Sequence, residues 1–175
     1  MVGQYHIKQA ISPGEVEAGV RVNALAWQQS FEGVLAAEVI AARINEQAMA
    51  ARLSEWLRYA VDGVHFWLAL DRGSGEAVGI ANASPARDDD APVPLELTML
   101  YVLDQVKGSG LADALLHTAI GDAPAYLWAL AGYERAIGFY RRHGFALDGA
   151  SRPAVDLVDA TIVQPPTQVR MVRLT

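Results

Sequence analysis

Apolar and polar positions alternate over 4–11, "QYHIKQAI", with Tyr5, Ile7 and Gln9 set against His6, Lys8 and Ala10, and the run stops at Ser12-Pro13. A period of two predicts a strand, and a proline in the first turn predicts a helix directly after it. Residues 14–27 carry Val16, Val20, Leu25 and Trp27 at roughly helical spacing. Two more helical stretches follow, 33–44 and 46–60, the second with Met49, Leu53, Trp56 and Leu57 on one stripe. Strand-like runs return at 64–71 and 76–84, and the glycine-rich 72–75 between them predicts a hairpin. A polar loop with three prolines, 85–94, leads into "LELTMLYVL" (95–103), the strongest strand signal in the chain.

Beyond it the pattern predicts a helix at 109–120 with Leu111, Leu115, Leu116 and Ala119 on one stripe, then a buried strand at 125–130. A helix over 133–143 ends at Gly144 in the favoured C′ position. "FALDGA" and "VRMVRL" close the chain as strands joined by a proline-containing loop. Strand, helices, three strands, helix, strand, helix and two strands predict a mixed α/β fold in a single domain, 1–175.

Composition narrows the chemistry. At 175 residues and 52% apolar content, one core is well supplied. The chain has no cysteine, which excludes thiol nucleophiles, disulfides and cysteine-based zinc sites, and its four histidines show no metal-ligand spacing, so no metal is expected. A net charge of −6 disfavours nucleic acid and mildly favours cationic ligands. No apolar segment follows a basic start, and "FWLAL" is far short of the ~20 residues of a spanning helix, so a cytoplasmic protein without membrane contact is expected.

The stretch "YVLDQVKGSGLADALL" (101–116) runs from strand through a Gly-x-Gly turn into a helix. Such a turn exposes backbone N–H groups at the positive end of a helix dipole and makes an anion site. A Walker A loop is excluded, because no Lys-Ser or Lys-Thr follows. A dinucleotide fingerprint is a poor fit, because Asp113 stands where its third glycine or alanine belongs.

Gln105 to Ala112 instead resembles the Q/R-x-x-G-x-G/A motif of the GCN5-related N-acetyltransferases (GNAT), placed after a strand and before a helix as in that family. "LWALAGYERAIGFYRRHGFALDG" (127–149) resembles the family's second signature, and "VNALAWQQSFEGVLAAEVI" (22–40) resembles its acceptor-side helices. The resemblance covers most of the chain. It implies a mixed, mostly antiparallel twisted sheet of six to seven strands flanked by helices, with acetyl-CoA as co-substrate.

The resemblance also implies roles. Backbone groups of Lys107, Gly108, Ser109, Gly110, Leu111, Ala112 and Asp113 would hold the pyrophosphate of coenzyme A. Leu100, Tyr101 and Val102 would pair with its pantetheine arm. Glu96 would be the general base that takes a proton from the acceptor amine, and Tyr140 the general acid for the departing thiolate. Tyr133 stands where members commonly have a cofactor-contacting asparagine, and Asp104 where proline is frequent. Trp27, Phe31 and Trp56 could line an acceptor pocket, and Asp88, Asp89 and Asp90 could attract a cation, although helix aromatics usually serve as core and such loops are usually solvated.

The expected activity is transfer of an acetyl group to a primary amine by direct attack in a ternary complex. The expected acceptor is a small-molecule amine, and a homodimer is left open. The alternatives are a protein N-acetyltransferase, or a non-catalytic acyl-CoA sensor or scaffold.

Overall fold

The computed structural model describes residues 2–154 and 165–175. Its strands are β1 (Tyr5–Gln9), β2 (Phe66–Asp71), β3 (Ala77–Pro85), β4 (Leu95–Val102), β5 (Ala125–Leu130), β6 (Ala146–Pro153) and β7 (Thr167–Arg173). The helices are α1 (Pro13–Phe31), α2 (Ala37–Ile44), α3 (Glu46–Val61), α4 (Leu111–Ile120) and α5 (Glu134–Arg142). The strands form a seven-stranded mixed sheet in the order β1-β2-β3-β4-β5-β7-β6, which is the fold class expected from the sequence. Part of the proline-containing loop between the last two strands lies outside the described residues.

The chain divides into two compact units, Met1–Ala83 with Met99–Gly121, and Ser84–Thr98 with Asp122–Thr175. In the first, β1 pairs antiparallel with β2, and β2 with β3. The hairpin turn is set by Asp71, whose carboxylate accepts from the N–H groups of Gly73 (2.8 Å) and Ser74 (3.1 Å). α1 packs on α2 and α3, and α4 packs on β1 and β2. Val16, Val20, Phe66, Ile80, Leu111 and Leu115 fill the core between them.

α1 begins where Ser12-Pro13 predicts. Ser12 accepts from the Glu15 N–H at 3.3 Å and the Glu15 carboxylate accepts in return from the Ser12 N–H at 3.0 Å, a reciprocal capping box. The helix predicted over 33–44 starts later, at Ala37, because α1 continues to Phe31 and Gly33 then turns the chain at φ 77°. The helix predicted from 109 starts at Leu111, since Gly110 at φ 85° is its N-cap.

In the second unit, the start of β4 runs parallel to β5, aligned at Glu96 and Tyr126. β5 and β6 both pair antiparallel with β7. α5 ends as predicted. The Gly144 N–H donates to the Arg141 carbonyl and the Phe145 N–H to the Tyr140 carbonyl, both at 3.1 Å, with Gly144 at φ 83°; these are the paired bonds of a Schellman cap. No helix among the described residues is long and apolar enough to cross a membrane.

The capping box generates a pH dependence. The Glu15 carboxyl is held down to about 2, chiefly by the Lys8 ammonium and then by the Ile11 N–H, against an opposing effect of burial. A depressed carboxyl contributes stability above its unfolded value of 4.5 and loses it as pH falls toward 2. In urea unfolding, Glu15→Gln is therefore expected to be less stable than wild type at pH 7 and to lose less stability than wild type between pH 4.5 and 2.

Candidate functional site

The glycine turn lies in the first unit. Gly108 and Gly110 take φ 81° and 85°, a left-handed conformation that other residues rarely adopt. A Cβ built on either would meet no heavy atom within 4 Å, so the main chain is open on that side. Ser109 braces the turn from within: its Oγ donates to the Val106 carbonyl (2.6 Å) and accepts from the Leu111 N–H (3.3 Å). Leu111 is buried in the core, Ala112 is half-buried, and Asp113 is exposed in the first turn of α4. An open main chain at the start of a helix fits the pyrophosphate of a coenzyme.

Lys107 does not present a free charge beside that turn, because its ammonium pairs with the Asp104 carboxylate. The Asp104 N–H in turn donates to Gln29 Oε1 of α1 at 2.9 Å. Leu100, Tyr101 and Val102 are partly buried at the end of β4. Close packing fixes that end: a Cβ on Gly79 of β3 would lie 2.8 Å from Leu115 Cδ1 and 3.3 Å from the Tyr101 carbonyl oxygen.

The second unit holds Glu96, 2% exposed. Its carboxylate accepts from Arg87 Nη2 (2.7 Å) and Nε (2.9 Å) and from the Tyr126 hydroxyl (3.1 Å). Tyr126 is pushed up to about 12, first by burial and then by the Glu96 charge, so it stays a hydroxyl donor. Neither Arg87 nor Tyr126 carried a functional signal in the sequence, although Tyr126 sits in the strand that aligns with Glu96.

The three aspartates expected in an open loop are divided. Asp88 accepts from Trp128 Nε1 and Arg152 Nη1, both at 2.7 Å, and Asp90 accepts from Arg170 Nη1 at 3.0 Å; Asp89 is exposed. Burial works against ionisation of Asp88, but the Trp128 and Arg152 contacts outweigh it and hold the carboxyl below its ordinary range. The Arg152 guanidinium also lies 4.1 Å from the centroid of the Trp128 ring.

Tyr140, half-buried on α5, is fixed by the Schellman cap through its carbonyl and by edge contact with Phe145, ring centroids 5.8 Å apart. Tyr133 is the N-cap of that helix, and its carbonyl accepts from the N–H groups of Ala136 and Ile137. In the first unit, Trp27 and Phe31 are buried with ring centroids 4.9 Å apart, and Trp56 stacks on Phe66 at 4.7 Å.

Sequence reasoning missed Asn23 and Arg43, which neighbour Trp27, and Arg52, which bonds to Arg43. Asn23 Nδ2 donates to Met99 Sδ at 3.4 Å, the Arg43 guanidinium lies 5.2 Å from the Trp27 ring centroid, and Arg52 Nη2 donates to the Arg43 carbonyl at 3.3 Å. A signal for Arg52 was present, since it occupies the place between Met49 and Trp56 on the apolar stripe of α3.

Residues 62–147 match the acetyltransferase (GNAT) domain family. No curated protein matches the chain. Its fold is similar to that of the PaiA N-acetyltransferase from Thermoplasma acidophilum in complex with coenzyme A, at TM-score 0.72 and 16% identity, covering 98% of this chain and 99% of that one. A protein from Corynebacterium glutamicum described as histone acetyltransferase HPA2 and related acetyltransferase is similar at TM-score 0.68 and 19% identity, covering 98% and 96%. The ribosomal-protein-alanine N-acetyltransferase from Brucella melitensis is similar at TM-score 0.66 and 19% identity, covering 97% and 99%. Residues 62–147 therefore match the GNAT acetyltransferase domain family, and the fold of the chain is similar to that of solved N-acetyltransferases.

Proposed function

We propose that this protein transfers an acetyl group from acetyl-CoA to a primary amine of a small molecule by direct attack in a ternary complex. The observation that carries this reading is the turn at Gly108 and Gly110, open along its main chain and opening α4 within the matched domain. With Lys107 paired to Asp104, the attraction for pyrophosphate rests on backbone N–H groups and the helix dipole.

The coenzyme supplies an acetyl group activated as a thioester. Around it, the main chain of Leu100, Tyr101 and Val102 binds the pantetheine arm. Glu96 receives a proton from the acceptor nitrogen, directly or through a water, as the nitrogen bonds to the acetyl carbon. Tyr140 gives its hydroxyl proton to the sulfur as the carbon–sulfur bond breaks. Arg87, whose side chain is 60% exposed, holds both oxygens of Glu96 and has to move aside for an acceptor nitrogen or a water to reach them. The same grip favours a second reading of Glu96 as a purely structural anchor for its loop.

Two measurements test these roles. Acetyl-CoA at about 100 times its Kd is expected to stabilise the protein by about 2.7 kcal/mol, seen as a rise of several degrees in a thermal scan. Gly110→Ala, which forces a Cβ onto φ 85°, is expected to shrink that rise. No rise with any acyl-CoA would reject the coenzyme site.

In a thiol-release assay over a panel of amines, Glu96→Gln and Tyr140→Phe are each expected to lower kcat by about 10²-fold or more while acetyl-CoA still binds. Unchanged turnover in Glu96→Gln establishes the structural reading instead. Activity confined to peptides rejects the small-molecule acceptor. Arg87→Ala leaves the buried carboxylate with Tyr126 alone, an expected loss of about 1–3 kcal/mol in urea unfolding.

A further inference from the structure

Six residues of α1, α2, α3 and β4 close a ring in the first unit. Asn23 touches Met99, and Trp27 stands four residues beyond Asn23 on the same face of α1. Arg43 lies against the Trp27 ring, Arg52 bonds to the Arg43 backbone, and Arg52 interacts electrostatically with Tyr101. Tyr101 and Met99 are two apart on β4 and point to one face, which completes the circuit.

This ring leaves hydrogen-bonding capacity unused. Trp27 Nε1 and Arg52 Nη1 are buried donors, and Asn23 Oδ1 a buried acceptor, and among the described residues none of the three has a hydrogen-bond partner. Trp27 is fully buried and Asn23 is 3% exposed. A buried polar atom left unsatisfied is destabilising, and native cores rarely collect three of them in one place.

Charge in the ring is lopsided as well. Burial, followed by the positive charge of Arg43, brings Arg52 down to about 10, and only Tyr101 and Glu55 act in the opposite direction. Glu55 is already engaged by the Tyr59 hydroxyl at 2.9 Å. The unused N–H donors of the Arg52 guanidinium and of Trp27 ask for anionic oxygens, while the unused amide oxygen of Asn23 asks for an N–H donor.

We propose that this ring binds the acceptor, and that the acceptor carries an anionic group, a carboxylate or a phosphate, close to its amine. Its oxygens take the Arg52 and Trp27 donors beside Arg43, and its amine donates to Asn23 Oδ1 at Met99. The amine is thereby brought to the segment of β4 assigned to the coenzyme arm. The inference rests on the N-acetyltransferase reading and narrows its substrate to amino-acid-like or phosphoamine compounds. It runs against the net charge of −6, which taken alone favours a cationic acceptor such as a polyamine.

The experiment compares matched amines. Amino acids are set against their amides, phosphoethanolamine against ethanolamine, and spermidine is added as a polycation. Each compound is scored by the shift it causes in the thermal midpoint and by kcat/KM with acetyl-CoA.

Wild type is expected to favour each anionic compound over its neutral twin by about tenfold or more, equivalent to 1.4 kcal/mol. The carboxylate and phosphate arms identify which anion the ring takes. Arg52→Gln is expected to bring the twins together through a higher KM for the anionic one. Trp27→Phe removes the N–H together with the five-membered ring of a fully buried indole, so the free protein is expected to lose some stability, and the midpoint shift with the anionic compound, measured from the variant's own unliganded midpoint, is expected to fall.

Equal rates for the twins, or a preference for spermidine, overturn the inference and leave the acetyltransferase reading intact. If neither acetyl-CoA binding nor transfer to any amine is seen, that reading falls, and the midpoint arm decides alone. An anionic probe that stabilises wild type but not Arg52→Gln keeps the site, and no shift with any probe removes it.

Discussion

A carboxylate removed from water has to be matched, and the second unit is organised around doing so for Glu96. Both of its oxygens are taken by Arg87, and one also by Tyr126. Leaving such a group unmatched would cost several kcal/mol. Arg87 precedes β4 by a loop of prolines and aspartates, so the loop has to fold back over the strand it feeds. The Ala86 N–H closes it on the Pro94 carbonyl at 2.9 Å. Asp88 and Asp90 then pin it to Trp128, Arg152 and Arg170. Exposed ion pairs contribute little singly, and Asp90 is exposed, but Asp88, Arg152 and Arg170 are at least partly buried and Arg170 also reaches Asp148 at 2.7 Å. One buried charge therefore dictates the path of a segment whose composition reads as solvated loop.

The first unit breaks the rule that the second obeys. Around Trp27 and Arg52, donors and an acceptor are buried with no hydrogen-bond partner among the described residues. Departures of this kind concentrate where a molecule other than the protein completes the bonding. The contrast separates two polar clusters that a count of charges would treat alike: one is saturated and structural, the other is unsaturated.

Periodicity made the elements legible. Every predicted strand and helix among the described residues exists, because each buries one face and so carries a period of two or 3.6. Boundaries moved where glycine intervened, as at Gly33 and Gly110, since a left-handed backbone ends one element and delays the next regardless of hydrophobic pattern. The glycine turn was legible for the same reason: few residues adopt φ near 80°. Arg87 and Tyr126 were not legible as partners of Glu96, because an ion pair between a loop and a strand is set by tertiary path and leaves no spacing in the sequence. Arg52 was legible in principle. An arginine at the i+3 place of an apolar stripe breaks the amphipathic pattern of α3, and a helix keeps such a residue on its buried face only where the surroundings provide for it.

The two departures from the family pattern act locally and in different ways. A proline in place of Asp104 would have no N–H for Gln29 and no carboxylate for Lys107, so aspartate supplies two bonds that proline cannot. Its consequence is to neutralise the lysine beside the glycine turn, which leaves anion attraction there to the backbone of α4. Tyr133 acts on another helix. An asparagine can cap a helix N-terminus with its side chain, whereas α5 begins on Tyr133 with no side-chain cap bond. That loss falls on the first turn of α5, where Glu134 compensates in part by placing a negative charge at the positive end of the dipole. Tyr140 is held by the opposite end of the helix, through the Schellman cap and Phe145. A weakened start to α5 therefore does not loosen the residue to which proton donation is assigned.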